Sequence, residues 1–274
     1  MKSAFGVALA LATALALSFL LLPIVAIFVD IPPGQLLDGL NDPAAVDALL
    51  VTLKTTLVAN ALILLVGTPA AYLIASWSFR GKPFLITAVE LPLVLPPAVA
   101  GIGLLAAFGR FGLLGGALDV LGVSIPFTQA AVVFAVVFVA SPFYLRAAIS
   151  AFEAVDPALT GAARTLGAGP GRTFFRVALP LASGGLGAGW ALAFARGIGE
   201  FGATIMFAGS LQGVTQTLSL AVYEQFDVDF DVALAIGAEL VVVSAAVLLA
   251  VKLVPAWRRS SSGSTTLFAP TPSR

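Results

Sequence analysis

The sequence predicts an all-α integral membrane protein with six transmembrane helices. Three observations carry this expectation. Hydrophobic residues make up 59% of the 274 residues and charged residues only 10%, and mean hydropathy is +1.06, more apolar side chain than a water-soluble core of that size holds. The apolar residues gather into runs of about 20 or more, the length an α-helix needs to cross a hydrocarbon core. Polar segments containing Pro, Gly and Asp separate the runs and read as loops.

Composition excludes several functions. Fourteen Lys and Arg balance fourteen Asp and Glu, so no nucleic-acid partner is implied. Cysteine and histidine are both absent, which removes disulfides, thiolate chemistry, imidazole bases and the commonest transition-metal ligands. A membrane enzyme would have to use carboxylates. Its best candidates, Glu90, Glu200 and Glu239, fall on three different spans with no nucleophile beside them.

The first span is residues 5–29, after a single Lys2. A cleaved signal peptide would have a shorter apolar core, with a small-residue cleavage site close behind it, so the helix is expected to be retained. Residues 30–50 form a polar loop with four aspartates. The second span is 51–76, with Lys54 at its edge able to snorkel, and with Tyr72 and Trp77 suited to the opposite interface. Arg80-Gly81-Lys82-Pro83 is a short basic turn. The third span, 84–108, contains Pro92, Pro96 and Pro97. Prolines free backbone carbonyls, tolerable at membrane depth only against protein or a water-filled cavity. Pro96 and Pro97 therefore mark either a structural kink or part of a pathway. Residues 109–127 read as a glycine-rich loop, 128–149 as the fourth span, 181–207 as the fifth and 232–254 as the sixth. The loop 208–231 ends in Asp227, Asp229 and Asp231, and a Ser-, Thr- and Pro-rich tail from Arg258 is expected to be disordered. The chain divides into 1–50 (first helix and loop), 51–252 (the main transmembrane domain) and 253–274 (the tail).

Six spans put both termini on one side. Lys2, Arg80, Lys82, Arg146, Arg164, Arg172, Arg176, Lys252, Arg258 and Arg259 fall on that side, against Lys54 and Arg110 on the other. The positive-inside rule therefore places both termini in the cytoplasm of a multi-pass cell-membrane protein.

The longest polar interruption, 153–180, organises the chain. Asp156 can cap a short helix with Pro157 at its first position. Leu159, Ala162, Ala163 and Leu166 share one face of it. Gly167-Ala168-Gly169 ends it, Pro170 restarts the chain, and a second helix carrying Phe174, Phe175 and Val177 is expected to stop near Leu179-Pro180. Gly161-Ala162-Ala163, then Arg164 to Leu166, Gly167, nine residues and Val177-Ala178-Leu179-Pro180 resembles the EAA loop of ABC importer permeases at its full spacing. Gly161 stands where that family usually has Glu. The resemblance implies docking of Gly161, Ala162, Ala163, Arg164, Leu166, Gly167, Leu179 and Pro180 against an ATPase subunit, with one expected contact missing.

The fifth span carries Arg196 and Glu200, four apart on one helix face, with Thr204 a turn further on. Intramembrane charges are costly unless paired or facing water. The pair is either a gate element, together with Phe201, Thr204, Pro96 and Pro97, or a buried structural bridge. A row of small residues, Gly185, Gly189, Ala193 and Gly197, lets this span pack closely in the bundle. Ala195 to Gly209 (ARGIGEFGATIMFAG), followed by Thr215-Gln216-Thr217-Leu218, resembles the permeases for molybdate and tungstate. Sulfate and thiosulfate permeases share the Gly-Glu-Phe-Gly part and are the near alternative. The likeness covers roughly residues 51–252, including Glu90-Leu91-Pro92 through Pro97.

The resemblance implies a type I ABC importer (MetI-like) permease fold that translocates molybdate or tungstate. The implied partners are a second copy of the chain, two cytoplasmic ABC ATPase subunits, an extracytoplasmic molybdate-binding protein and membrane lipid. The chain has no Walker A sequence, so it is not expected to be an enzyme. ATP and Mg would bind the partner ATPase, with no cofactor on this chain. The other class is a stand-alone secondary anion transporter, which needs neither ATPase nor EAA-like loop.

Overall fold

The computed structural model describes residues 4–32, 34, 39 and 42–260. Twelve α-helices and one π-turn are defined there. They are α1 (Ala4–Asp30), α2 (Pro43–Ser76), α3 (Lys82–Val94), α4 (Pro97–Phe108), α5 (Gly115–Val120), α6 (Gln129–Glu153), α7 (Pro157–Thr165), α8 (Pro170–Thr173), α9 (Leu179–Ile198), α10 (Gly202–Ala208), α11 (Leu218–Phe226) and α12 (Phe230–Ser260), with the π-turn at Phe174–Ala178. No strand is present among the described residues. Lys2 and residues 261–274 of the expected tail lie outside them, and α12 runs to Ser260, beyond the expected end of the sixth span.

Five helical segments are long and apolar enough to cross a membrane, and α3 with α4 makes a sixth crossing unit if that bent pair is one span. Two expected spans are not continuous. The third breaks at Leu95-Pro96 and bends by 112°, because Pro96 and Pro97 offer no N–H to the carbonyls of the preceding turn and Leu95 is held extended before proline (ψ 131). The fifth breaks at Gly199–Phe201. The second span begins at Pro43 rather than at residue 51, since Asp42 Oδ1 accepts from Ala44 N at 2.7 Å and starts the helix earlier.

The core is centred on α6, whose Val132, Val136, Val139, Tyr144, Ile149 and Phe152 are buried. The small row of α9 packs against it. A methyl group at Gly189 would lie 2.8 Å from Ala147 Cβ, and one at Gly197 would lie 2.8 Å from Val136 Cγ1. The expected close packing of this span is thus present, with α6 as its neighbour. On the other side α6 meets α2, where Thr68 Oγ1 and Tyr144 OH are 2.6 Å apart. Tyr72, expected near an interface, is half-buried. It stacks on Phe152 and Phe174, with centroids 5.3 and 4.8 Å away. Lys54 Nζ donates to Gln129 Oε1 at 2.7 Å, joining α2 to the start of α6. Helix α1 buries none of its residues and touches α12 near Ile27 and Ile31. Two ion pairs join α3 to α6: Lys82 Nζ to Glu153 Oε1 at 2.9 Å and Arg146 Nε to Glu90 Oε1 at 3.5 Å.

Candidate functional site

Two sites are built on this frame, one in the loop after α6 and one where α4, α9 and α10 meet. In the loop, Asp156 Oδ1 accepts from Ala158 N at 2.8 Å and starts α7. Gly167 takes φ +82, Gly167 N donates to Arg164 O, and Ala168 N donates to Ala163 O. These two bonds close a Schellman end that only glycine enters without strain. The turn leaves Leu166 standing 88% exposed. Leu159 and Phe175 are exposed too, so this apolar loop face is left uncovered by the described residues.

The second loop helix does not stop at Pro180. It runs on from Pro170 to Ile198 as one span. Pro180 has no N–H to donate back and its ring crowds the preceding turn, and the helix widens there into the π-turn, with Leu179 N donating to Phe174 O. Leu179 and Pro180 therefore form the first turn of α9, in helical continuity with the loop. Between α7 and the ends of α2 and α6 lies a cleft of about 380 Å³, lined among others by Tyr72, Ser76, Glu153, Thr160, Gly161 and Arg164. A Cβ at Gly161 would meet nothing within 4 Å, so the position of the missing carboxylate is open space. Ala162 and Arg164 are exposed, Ala163 is half-buried, and among the described residues Arg164, Arg172 and Arg176 form no ion pair.

At the second site Arg196 Nη2 lies 2.6 Å from Glu200 Oε2. The two do not share a helix. Helix α9 ends at Ile198, and Glu200 lies in the break. Its other oxygen, Oε1, accepts from Ala203 N at 2.7 Å and so caps α10. One carboxylate thus ties the end of one half-helix to the start of the next, with Arg196 suited to the C-terminal end of α9 and the carboxylate to the N-terminal end of α10. Thr204, expected a turn along the same face, is on α10, fully buried, and its hydroxyl has no partner among the described residues.

The broken spans meet. A methyl group on Gly202 would lie 2.7 Å from Pro97 Cβ, and one on Gly101 would lie 2.6 Å from Ala203 O. Pro97 and Gly202 are brought to one locus, while Pro96 precedes α4 beside it as its N-cap residue. Phe201 projects to α11, stacking on Tyr223 with centroids 5.0 Å apart. Composition and spacing gave no warning of Tyr223. Nor did they place Thr52, whose Oγ1 accepts from Leu218 N at 2.8 Å, fixing the start of α11 against α2. A polar residue at helical spacing among apolar ones, as in Thr52, Thr56 and Asn60, all buried, is the signal that could have found the stripe. The motif residues Thr215, Gln216 and Thr217 are buried. Thr215 Oγ1 accepts from Leu211 N at 3.0 Å and Gln216 Nε2 donates to Glu224 Oε2. No group of three or more acidic residues among the described residues is placed to hold a metal ion.

Comparison with known proteins gives a consistent set. The family "Binding-protein-dependent transport system inner membrane component" matches residues 63–259. The "Molybdenum transport system permease protein ModB" of Mycobacterium tuberculosis (strain ATCC 25618 / H37Rv) is 44% identical over 233 residues, 85% of this chain and 88% of that protein. The protein of the same name from Escherichia coli (strain K12) is 43% identical over 185 residues, 67% of this chain and 80% of that protein. Among solved structures, a bacterial alginate ABC transporter in complex with alginate pentasaccharide-bound periplasmic protein superposes with TM-score 0.72, covering 95% of this chain and 96% of that one at 19% identity. This last likeness shows the fold alone.

Proposed function

This chain belongs to the family of binding-protein-dependent transport system inner membrane components, and from that premise we propose that it is the permease subunit of an ATP-driven importer of molybdate or tungstate. The observation that carries the substrate class is the 44% identity, over 85% of the chain, to relatives whose names state molybdenum transport. The chain is a multi-pass membrane protein. Both termini and the 153–180 loop face the cytoplasm in this reading, supported by the ten Lys and Arg on that side against two on the other.

Two copies of the chain form the pathway, and each offers one loop to one ABC ATPase subunit. The exposed Leu166 and Leu159 of α7 are the knobs that such a subunit would cover. ATP and Mg act on that partner. Because the helix from Pro170 continues into α9, a shift of the docked loop moves the span that carries Arg196 in its last turn. The anion, delivered by an extracytoplasmic binding protein, passes when the broken helices α4 and α10 separate on one side and close on the other. Arg196 and Glu200 hold the break between α9 and α10 in register, as positioning residues of that gate.

Co-reconstitution of the chain with its ATPase and binding protein in vesicles tests this reading. ATP-dependent accumulation of molybdate or tungstate, with sulfate excluded, is the expected result. Accumulation of sulfate alone, or uptake without the ATPase, would overturn it.

A further inference from the structure

The loop half of the bundle holds charges that the gate does not use. Arg146 lies in α6, seven residues before Glu153 at the helix end, roughly 10 Å inside at the rise of an α-helix. Although α6 is the buried centre of the fold, Arg146 is 69% exposed and its neighbour Glu90 34%. Arg146, Ser150 and Glu153 are the exposed positions of this stretch of α6 before the loop, spaced i, i+4 and i+7 on one stripe. The stripe faces α3, since Lys82 reaches Glu153 and Glu90 reaches Arg146. The neighbouring side of α6, at Ala147, is closed by Gly189 of α9. Ionisable side chains within a span are costly unless they meet water or protein, which makes this seam a functional candidate.

The two Arg–Glu pairs differ in what they leave free. Arg196 is drawn to 2.6 Å of a carboxylate that is 1% exposed and also caps a helix, so its place is fixed. Glu90 approaches Arg146 at Nε, at 3.5 Å, and no hydrogen bond from the Arg146 guanidinium is formed among the described residues. The terminal N–H groups of that guanidinium are therefore open to water, in the fork geometry that grips two oxygens of a tetrahedral oxyanion.

The geometry points to Arg146 as an anion station on the loop half of the pathway, where a tetrahedral oxyanion is held after the gate and before release. This rests on the oxyanion-permease reading above. Glu90 orients the guanidinium and offsets its charge, and the hold stays weak, as conduction requires. On this proposal the route past it is the seam between α3 and α6, and α3 ends at the 112° bend at Leu95-Pro96.

The test uses the complete complex of the chain with its ATPase and binding protein in vesicles, with molybdate as probe. Binding of molybdate to the solubilised complex lacking the binding protein is measured alongside. Arg146→Gln should lower uptake by about tenfold or more, the ratio that one charge-assisted hydrogen bond supplies, with Arg146→Lys in between. Glu90→Gln should bind molybdate about tenfold more tightly and import it more slowly, because release limits passage once the opposing charge is gone. The double variant should remain as poor in uptake as Arg146→Gln. Wild-type uptake by Arg146→Gln overturns the assignment. Recovery in the double variant also overturns it, leaving a pair that only joins α3 to α6, and so does loss of the two-copy assembly in Arg146→Gln, which would make the seam a contact between copies. If the wild-type complex imports no oxyanion, it is the permease reading that fails.

Discussion

Glu200 binds both sides of a helix break: Oε2 lies 2.6 Å from Arg196 Nη2 at the end of α9, and Oε1 accepts from Ala203 N at the start of α10. A continuous helix would need no such group. The break gives the half of the span away from the 153–180 loop a second piece, packed on α4 at Pro97, and the carboxylate contacts both pieces.

Glu200→Ala removes both contacts and leaves Arg196 without its partner. Losing one member of a buried pair costs about 3–5 kcal/mol, and loss of the cap adds about 1 kcal/mol. The expected result is a marked fall in the unfolding temperature of the solubilised complex. An unchanged temperature would mean that the pair is not buried in the assembled protein.

The double variant Arg196→Met with Glu200→Leu removes the charges together, so no buried charge is stranded. It should assemble with the ATPase yet fail to import, because the cap on α10 is lost even though the charge balance is kept. Wild-type uptake by a well-assembled double variant would leave the pair a packing role only.

Gly167→Val places a β-branched residue at φ +82, a conformation costing such residues about 1–2 kcal/mol or more. The strain is local to the loop, so the spans should insert normally. ATP hydrolysis should proceed while uptake falls several-fold, read as anion imported per ATP consumed. Normal coupling in this variant would mean that α7 is not the docking helix.

Gly161→Glu should be tolerated, since no atom lies within 4 Å of the new Cβ, and replacing an exposed helical glycine stabilises α7 by up to about 1 kcal/mol. The added carboxylate sits three residues before Arg164 on the same helix, within pairing distance. The complex should assemble as well as wild type in pull-down of the ATPase. Failure to assemble would show that this interface has adapted to the glycine.

Gly202→Val drives a side chain into Pro97, 2.7 Å from the position of the first added carbon. Overpacking of this kind costs about 1–3 kcal/mol, and here it forces α4 from α10. Uptake should be lost before the thermal stability of the bundle, which is centred on α6, changes much. Full uptake would mean that these two half-helices do not meet in the transporting states.

Much of the loop was legible because its signals are local. Asp156 before Pro157, and Gly167 after an apolar-faced turn, mark the ends of α7 by side-chain chemistry that acts within four residues. The end of the second loop helix was misread for the same reason: Pro180 is a stop signal only if the backbone keeps α geometry, and the π-turn at Phe174–Ala178 lets the helix pass it. At the gate, spacing put Arg196, Glu200 and Thr204 on one face, whereas the break leaves Arg196 on α9, Glu200 between the helices and Thr204 on α10, and the ion pair survives because the carboxylate reaches back to Arg196.

By itself the sequence determined the membrane class, the apolar segments long enough to cross, the charge asymmetry and the ends of the first loop helix. Hydrocarbon length, backbone satisfaction and capping are properties of contiguous residues, and a chain this apolar leaves few other solutions. The tertiary structure alone decided that Pro97 meets Gly202, that Tyr223 covers Phe201, and that Arg146 opens onto a polar seam with Glu90. Each of those contacts joins segments dozens of residues or more apart or depends on where a helix breaks, except the nearer Phe201–Tyr223 pair, which crosses a loop. Which faces touch depends on close packing of small side chains between helices, not on any pattern along one of them.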